Sequence, residues 1–215
     1  MPARRDGTEP QITHGAIYLR AGEREDLPLF VRWMNDWRTS RTLAIRAPIS
    51  FASETHWFEG MLAEQGKDRY FFVACLLVDD RAIGTIGLFD LDLPNGSAGL
   101  GIAVGDPADQ GRGLGSDMLR ALVGFGFGQL RLERIWLDVY DTNPGAQRVY
   151  ERVGFVHEGV QRHAVYREGQ YRDVHRMAIL AGEWRAAGAG DTTGAADAEP
   201  VSAASATLPG AGPGA

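Results

Sequence analysis

The pattern of apolar and polar positions along the chain predicts a mixture of strands and helices. Apolar runs of strand length recur and are bounded by polar or glycine-containing turns. The predicted strands are 16–20, 69–78, 81–92, 97–104, 134–139, 155–163 and 170–180. Apolar residues at helical spacing predict helices at 24–34, 51–65, 114–127 and 144–153.

The connections between these elements predict how the strands pair. Short turns join the strands 69–78, 81–92 and 97–104, which favours three consecutive antiparallel strands. A helix then separates strand 97–104 from strand 134–139, and this order implies a parallel crossover. The predicted fold class is therefore α/β (α+β), with a mixed, mostly antiparallel sheet of about seven strands.

The composition indicates one soluble globular domain. The chain has 215 residues, of which 44% are hydrophobic and 23% charged. The net charge of −6 argues against nucleic acid as a partner, because phosphate backbones need a basic surface. An acidic balance would suit a cationic substrate such as an amine, although most acidic proteins are simply soluble. The single cysteine, Cys75, excludes an intrachain disulfide or a cysteine zinc cluster.

The two ends of the chain differ in composition from its middle. Residues 1–15 are polar and lack the apolar segment of a secretory signal, and no apolar run has membrane-spanning length. We therefore expect a flexible segment at 1–15, no membrane partner and a cytoplasmic location. Residues 185–215 are rich in alanine and glycine and predict a disordered tail, which leaves 16–184 as the domain.

A glycine-rich turn is the strongest candidate for a binding site. Residues 110–116 read Gln-Gly-Arg-Gly-Leu-Gly-Ser and lie between a predicted strand and a predicted helix. Backbone N–H groups at a helix N-terminus are unpaired and sit at the positive end of the helix dipole, so they bind phosphate well. The spacing matches neither a dinucleotide fingerprint nor a P-loop. An ordinary glycine-rich connection is the alternative.

Glycines also occur in the strand that precedes this turn. Gly99 and Gly101 lie within strand 97–104 and Gly105 follows it. Glycine inside a strand often marks a bulge or the close approach of another backbone or ligand. A ligand whose phosphates sit on the turn would have room to lie along this strand.

Three residue patterns together resemble the GNAT superfamily of acyl-CoA-dependent N-acyltransferases. The turn at 110–115 resembles its pyrophosphate-binding motif. The pattern Asn143-x-x-Ala146-x-x-x-Tyr150 followed by Gly154-Phe155 resembles its second hallmark. The ending Glu168-Gly169-x-x-x-Asp173 is similar to the branch with ribosomal-protein N-terminal, spermidine and amino-sugar acetyltransferases. The resemblance covers about residues 16–184 and implies helices on both faces of the sheet.

The resemblance implies acetyl-CoA as co-substrate and no metal. None of the histidines has metal-ligand spacing. The pyrophosphate would bind the turn and the pantetheine would lie along 100–104, where one strand N–H would face the thioester oxygen. The implied cofactor-binding residues are Ile102, Ala103, Val104, Gln110, Gly111, Arg112, Gly113, Leu114, Gly115, Ser116, Asn143 and Ala146.

The resemblance also implies candidates for acid and base. Tyr150 occupies the family position of the acid that protonates the leaving thiolate, although an ordinary core tyrosine is the alternative. Many relatives carry a glutamate base at the position of Gly99, where this chain has none. Asp90 is the nearest substitute as base or amine anchor. A solvated role for Asp90, with a water chain as base, is equally compatible with the sequence.

The acceptor is open at this stage. The predicted activity is acetyl transfer by direct attack of a primary amine, carried by a small molecule or a protein N-terminus, with a homodimer as a possible assembly. A non-catalytic acyl-CoA sensor is the alternative, because the family base is missing; an NAD oxidoreductase lacks the required third glycine. Residues that either line the acceptor pocket or have purely structural roles are Arg32, Arg38, Arg41, Arg46, Tyr166 and Tyr171.

Overall fold

A computed structural model describes residues 9–188, which contain one sheet of eight strands flanked by helices. The strands are β1 Ile12–His14, β2 Ile17–Ala21, β3 Tyr70–Leu76, β4 Ala82–Asp92, β5 Ser97–Val104, β6 Arg134–Tyr140, β7 Val156–Arg167 and β8 Gln170–Leu180. The helices are α1 Leu27–Asn35, α2 Trp37–Ser40, α3 Phe51–Glu64, α4 Leu114–Gly128, α5 Pro144–Val153 and α6 Ala181–Gly188.

The strand order in the sheet is β1-β2-β3-β4-β5-β6-β8-β7. Every pair of neighbours is antiparallel except β5 and β6, which are parallel. This arrangement confirms the predicted mixed, mostly antiparallel sheet. The helix α4 provides the crossover between the two parallel strands.

Two observed elements extend beyond the predicted domain. Residues Ile12–His14, in the segment expected to be flexible, form β1 because they pair with Ile17–Leu19 of β2. Helix α6 continues to Gly188 and so includes the first residues of the expected disordered tail. The remaining tail, 189–215, and residues 1–8 lie outside the described part of the chain.

Side chains on the two faces of the sheet form two separate cores. On one face, which we call the α4 face, Leu100 and Ile102 of β5 pack with Met118 of α4 and Val149 of α5. On the other, the α1 face, apolar strand residues pack with α1 and α3 in a cluster that includes Phe30, Phe58, Phe71, Val73 and Ala103. This alternation follows from the two-residue period of a strand.

The pairing between β5 and β6 ends early and opens a cleft in the sheet. It joins Ser97–Gly99 to Arg134–Trp136 and goes no further. Strand β5 nevertheless continues to Val104 and β6 to Tyr140. The β6-facing backbone groups of 100–104 therefore lie outside the ladder, along a gap that we call the open cleft.

Candidate functional site

The glycine turn lies where β5 ends and α4 begins, at the mouth of the open cleft. Gly111 and Gly113 have φ values of 74° and 79°, a conformation that glycine adopts without strain. Gly113 is the N-cap residue of α4, and nothing lies within 4 Å of the position that a Cβ would occupy there. The turn thus presents the N-terminal N–H groups of α4 without side-chain obstruction.

A buried ion-pair network supports this turn. The carboxylate of Asp109, only 3% exposed, accepts hydrogen bonds from Arg81 Nη1 at 2.6 Å and Nη2 at 2.8 Å. It also accepts one at 3.0 Å from Nη1 of Arg112, inside the turn. The hydrogen bonds from Arg81 lower the pKa of Asp109, so the carboxylate stays ionised. The network fixes the turn against the β3–β4 connection.

Neither Asp109 nor Arg81 was identified from the sequence. Arg81 is 28 positions away from Asp109 and belongs to a different turn, so no local spacing links the two. An acid directly before a phosphate-binding turn was the one available signal, and it is weak because carboxylates repel phosphate. The structure shows that this charge is neutralised by two arginines.

Gln110, which begins the turn, supplies an unsatisfied donor. Its Nε2 is buried and has no hydrogen-bond partner among the described residues. A buried polar atom without a partner is costly, and a ligand oxygen or an ordered water commonly satisfies it. The turn therefore combines backbone donors, a side-chain donor and the exposed part of Arg112, a set suited to a pyrophosphate.

Tyr150 lies on the α4 face beside the open cleft. It is 0% exposed and belongs to the core with Ala146, while its ring contacts Phe155 at 5.9 Å. The carbonyl oxygen of the Asn143 side chain accepts a hydrogen bond from the Ala146 N–H at 3.1 Å and so caps α5. This geometry is compatible with both interpretations of Tyr150, as an acid and as a core residue.

The other side of the cleft explains why position 99 is glycine. Gly99 pairs with Phe89, and a Cβ at position 99 would overlap the Phe89 ring. That ring also contacts Trp136 edge to face, at a centroid distance of 5.3 Å. A glutamate cannot be accommodated at position 99 while Phe89 holds this place.

Asp90 follows Phe89 at an irregularity in the β4–β5 pairing. It is exposed and has a φ of 50°. Its neighbour Asp92 accepts hydrogen bonds from the backbone and side-chain nitrogens of Asn95 and so stabilises the following turn. Of these two acids, only Asp90 has a carboxylate without a hydrogen-bond or ion-pair partner among residues 9–188.

The arginine-rich segment and the last hairpin meet on the α1 face. Arg167 donates from Nη1 to the Ile45 carbonyl at 2.6 Å and from Nη2 to the Leu43 carbonyl. Arg46 donates to the Tyr166 carbonyl at 3.1 Å. The loop 41–49 and the hairpin tip 166–171 are thereby joined into one wall, as expected if both border a pocket.

Trp136 and its neighbours form a further wall that the sequence did not indicate. The guanidinium carbon of Arg176 lies 4.0 Å from the centre of the Trp136 ring. The same arginine binds Asp138 through two hydrogen bonds of 2.5 and 2.8 Å. All three residues lie on the α1 face, where β6 borders the open cleft.

Together, a divided parallel strand pair and a glycine turn at its mouth define an α/β protein with a cleft across its sheet that is suited to an extended, phosphate-bearing ligand. Residues 16–156 match the family model described as an acetyltransferase (GNAT) domain. The chain therefore belongs to the GNAT acetyltransferase family and is an acyl-CoA-dependent N-acyltransferase.

Individual relatives agree with this assignment. A prophage-derived uncharacterized N-acetyltransferase of Bacillus subtilis, YokL, is 30% identical over 157 residues, which cover 73% of this chain and 85% of the relative. The spermidine N(1)-acetyltransferase of Vibrio cholerae is 30% identical over 164 residues, or 76% and 92% of the two chains.

The fold is also found among solved structures. The crystal structure of spermidine N-acetyltransferase from Vibrio cholerae in complex with CoA and spermine superposes with a TM-score of 0.73. The sequence identity is 27%, and the match covers 79% of this chain and 98% of the other.

Within residues 9–188, no helix is long and apolar enough to cross a bilayer. In the same range, no three histidine, cysteine, aspartate or glutamate residues converge as a metal site.

Proposed function

We propose that this enzyme transfers the acetyl group of acetyl-CoA to a primary amine of a small molecule or of a protein N-terminus. The open cleft with the glycine turn at its mouth is the observation that carries the proposal. A long, flexible co-substrate with phosphates at one end and a thioester at the other suits that arrangement. The CoA complex of the Vibrio cholerae enzyme, which shares the fold, supports it.

The cofactor-binding residues follow from the geometry. The turn residues 111–116 and Gln110 offer N–H donors to the pyrophosphate. The pantetheine amides pair with the free backbone edge of β5 along Ile102, Ala103 and Val104. Asn143 and Ala146 hold the first turn of α5 on the far side of the cleft.

The transfer proceeds by direct attack. The neutral amine nitrogen bonds to the thioester carbon, a β5 N–H stabilises the oxyanion, and the C–S bond then breaks. The nitrogen loses its proton to Asp90 or to a water chain. Tyr150 donates its phenolic proton to the leaving thiolate; a phenol, with an ordinary pKa of about 10, carries its proton at neutral pH and so can act as the donor.

Replacing Asp90 by asparagine separates the two possible bases. Asparagine tolerates a positive φ, so Asp90→Asn changes the charge and leaves the backbone unstrained. If Asp90 is the base, kcat/KM falls by about 100-fold. If a water chain is the base, kcat/KM stays as in the wild type.

The function is tested by incubating the protein with acetyl-CoA and a panel of amines. The panel contains a polyamine, an aminoglycoside, an amino-sugar nucleotide and a peptide with a free N-terminus. Mass spectrometry should detect one added acetyl group on at least one acceptor. Calorimetric acetyl-CoA binding without turnover of any amine would instead favour the sensor, which the filled space at Gly99 supports.

The proposal extends to the cellular location and the oligomeric state of the enzyme. We place it in the cytoplasm, where acetyl-CoA and amines are both available. A homodimer is supported by β7, an edge strand whose residues are exposed over most of its length. Sedimentation measurements at several concentrations test this assembly.

A further inference from the structure

Three acidic side chains are buried in the described part of the chain, and one differs from the others. Asp26 is bound by both terminal nitrogens of Arg20 at 2.7 Å, and Asp109 is bound by Arg81. Glu54 is 6% exposed, and no hydrogen bond or ion pair joins its carboxylate to any of residues 9–188. Burial without a compensating charge raises the pKa of Glu54.

Glu54 belongs to the buried stripe of α3. It precedes Phe58 and Met61 on the helix face that packs on α1 and on the α1 face of the sheet. The start of α3 is tied to the end of α1, because the Asn35 side chain exchanges hydrogen bonds of 2.7 and 2.8 Å with the backbone of Ile49. Glu54 is therefore held between the two helices and the sheet.

Two indole N–H groups on the same two helices also lack partners. Trp57 stands one turn after Glu54 on α3, and Trp33 is in the last turn of α1. The Nε1 atoms of both are buried without a hydrogen bond in the described structure. Two buried donors thus lack partners on the two helices between which the Glu54 face of α3 packs, whereas buried polar groups are normally satisfied.

The sheet surface between Trp57 and the open cleft carries glycines. The Trp57 ring contacts Phe71 edge to face at 5.4 Å. Phe71 pairs with Gly87, and Gly87 pairs with Gly101 of β5 on the same face. Phe71 of β3, which contacts Trp57, therefore lies two strand spacings, about 10 Å, from the free edge of β5. Gly87 and Gly101 place no side chains on the sheet surface between these two strands.

Three arginines on this side of the molecule already have partners. Arg38 binds Asp36, while Arg46 and Arg167 bind backbone carbonyls. An unpaired buried carboxylate is destabilising, and an entering cation would remove that cost. Glu54 is consequently suited to a positively charged ligand.

We infer that Glu54 binds a protonated amino group of the acceptor. This rests on the proposed function, in which the amine that attacks must be neutral. The ammonium held by Glu54 is then a second amino group of the same molecule. The acceptor class is accordingly a diamine or polyamine, with one nitrogen at the thioester and another at Glu54.

A matched pair of acceptors tests the inference directly. 1,5-Diaminopentane and pentylamine have the same carbon chain and differ by one amino group, and spermidine serves as a longer probe. At saturating acetyl-CoA, the wild type should use the diamine with a kcat/KM at least about tenfold above that of pentylamine. Glu54→Gln should abolish most of this preference by raising the KM for the diamine.

The control is Glu64→Gln, the same chemical change at an exposed position of α3. It should keep the wild-type preference. Glu54→Gln should melt at the wild-type temperature or higher, because an unpaired buried charge has been removed. A lower melting temperature with an unchanged preference for the diamine would show a structural role and overturn the inference.

Calorimetry separates this inference from the proposed function. Diamine is titrated into the CoA-saturated wild type and Glu54→Gln proteins. Glu54-dependent binding without acetylation would uphold the inference and refute the function. If the wild type acetylates amines and its preference for the diamine is unchanged in Glu54→Gln, the function is upheld and the inference is refuted. Absence of both binding and turnover for every amine would overturn both.

Discussion

The two sides of the open cleft are built in different ways. The cofactor side, formed by the turn 110–116, the β5 edge and α5, relies on backbone groups and glycines close together in sequence. The acceptor side, formed by α1, α3, the loop 41–49 and the hairpin tip, relies on side chains from distant segments. Arg46 and Tyr166 are 120 positions apart. One side suits an invariant ligand, and the other can change with few substitutions.

Removing the hydroxyl of Tyr150, which lies on the cofactor side, should have the largest effect on kcat. Tyr150→Phe keeps the buried ring but removes the proposed proton donor. We expect kcat to fall by about 100-fold or more, while the calorimetric affinity for acetyl-CoA is retained. Tyr70→Phe, at a half-buried tyrosine of β3 that belongs to neither side of the cleft, is the control. An unchanged kcat would leave Tyr150 as a core residue.

Substituting both turn glycines should weaken the binding of acetyl-CoA without affecting the acceptor. Gly111→Val with Gly113→Val forces β-branched residues into a left-handed conformation and places side chains over the phosphate site. The Kd for acetyl-CoA should rise by about 30-fold or more, measured by calorimetry. Gly124→Ala, in the helix α4 with open space around it, should leave the affinity unchanged.

Breaking the contact between the loop and the hairpin should weaken binding of the amine acceptor without affecting acetyl-CoA. Arg167→Ala removes both hydrogen bonds to the loop 41–49. The KM for the amine should rise by about tenfold with little change in acetyl-CoA affinity. Arg162→Ala, an exposed change on the same strand, provides the reference in steady-state kinetics. Equal effects on both substrates would show that the two sides are not independent.

The smallest effect on turnover is expected for a change at Asp109. Its loss should instead lower the free energy of unfolding. The pKa of Asp109 is lowered in the folded state, so its ion pairs stabilise the protein above the unfolded value of about 3.9. This contribution disappears as the pH falls through the folded-state pKa.

Asp109→Asn should therefore lower the free energy of unfolding by about 2 kcal/mol at pH 7, and by much less near pH 3. Urea denaturation at the two pH values measures this difference. Glu64→Gln, at an exposed carboxylate of α3, should give the same small change at both. A pH-independent loss for Asp109→Asn would exclude the ion pair as its cause.

The sequence predicted most of the fold because its signals are local. Strands β5 and β8 were predicted with their observed bounds, and Asn143 and Gly154 correctly marked the start and end of α5. Strand β1 was missed because three residues carry too little pattern. The helix α2, with four residues, was missed for the same reason.

Local sequence patterns indicated parts of the candidate site, but contacts between residues that are distant along the chain could not be inferred from them. A glycine turn is visible in the order of residues, whereas Arg81 reaches Asp109 only through the fold. Glu54 had no sequence signal, since an acid in the first turn of a helix is usually a favourable exposed residue. Its burial depends on how α3 packs against α1, which is a tertiary property.

The early end of the β5–β6 pairing has a consequence for the folding of the molecule. The sheet contains an interior strand edge that no segment of residues 9–188 completes, and such an edge costs hydrogen bonds that a bound pantetheine would restore. The co-substrate then acts as a missing strand. The amide hydrogens within 100–104 that point away from β4, toward the open cleft, should exchange slowly with solvent only in its presence, so the resting enzyme is an unfinished sheet that its own substrate completes.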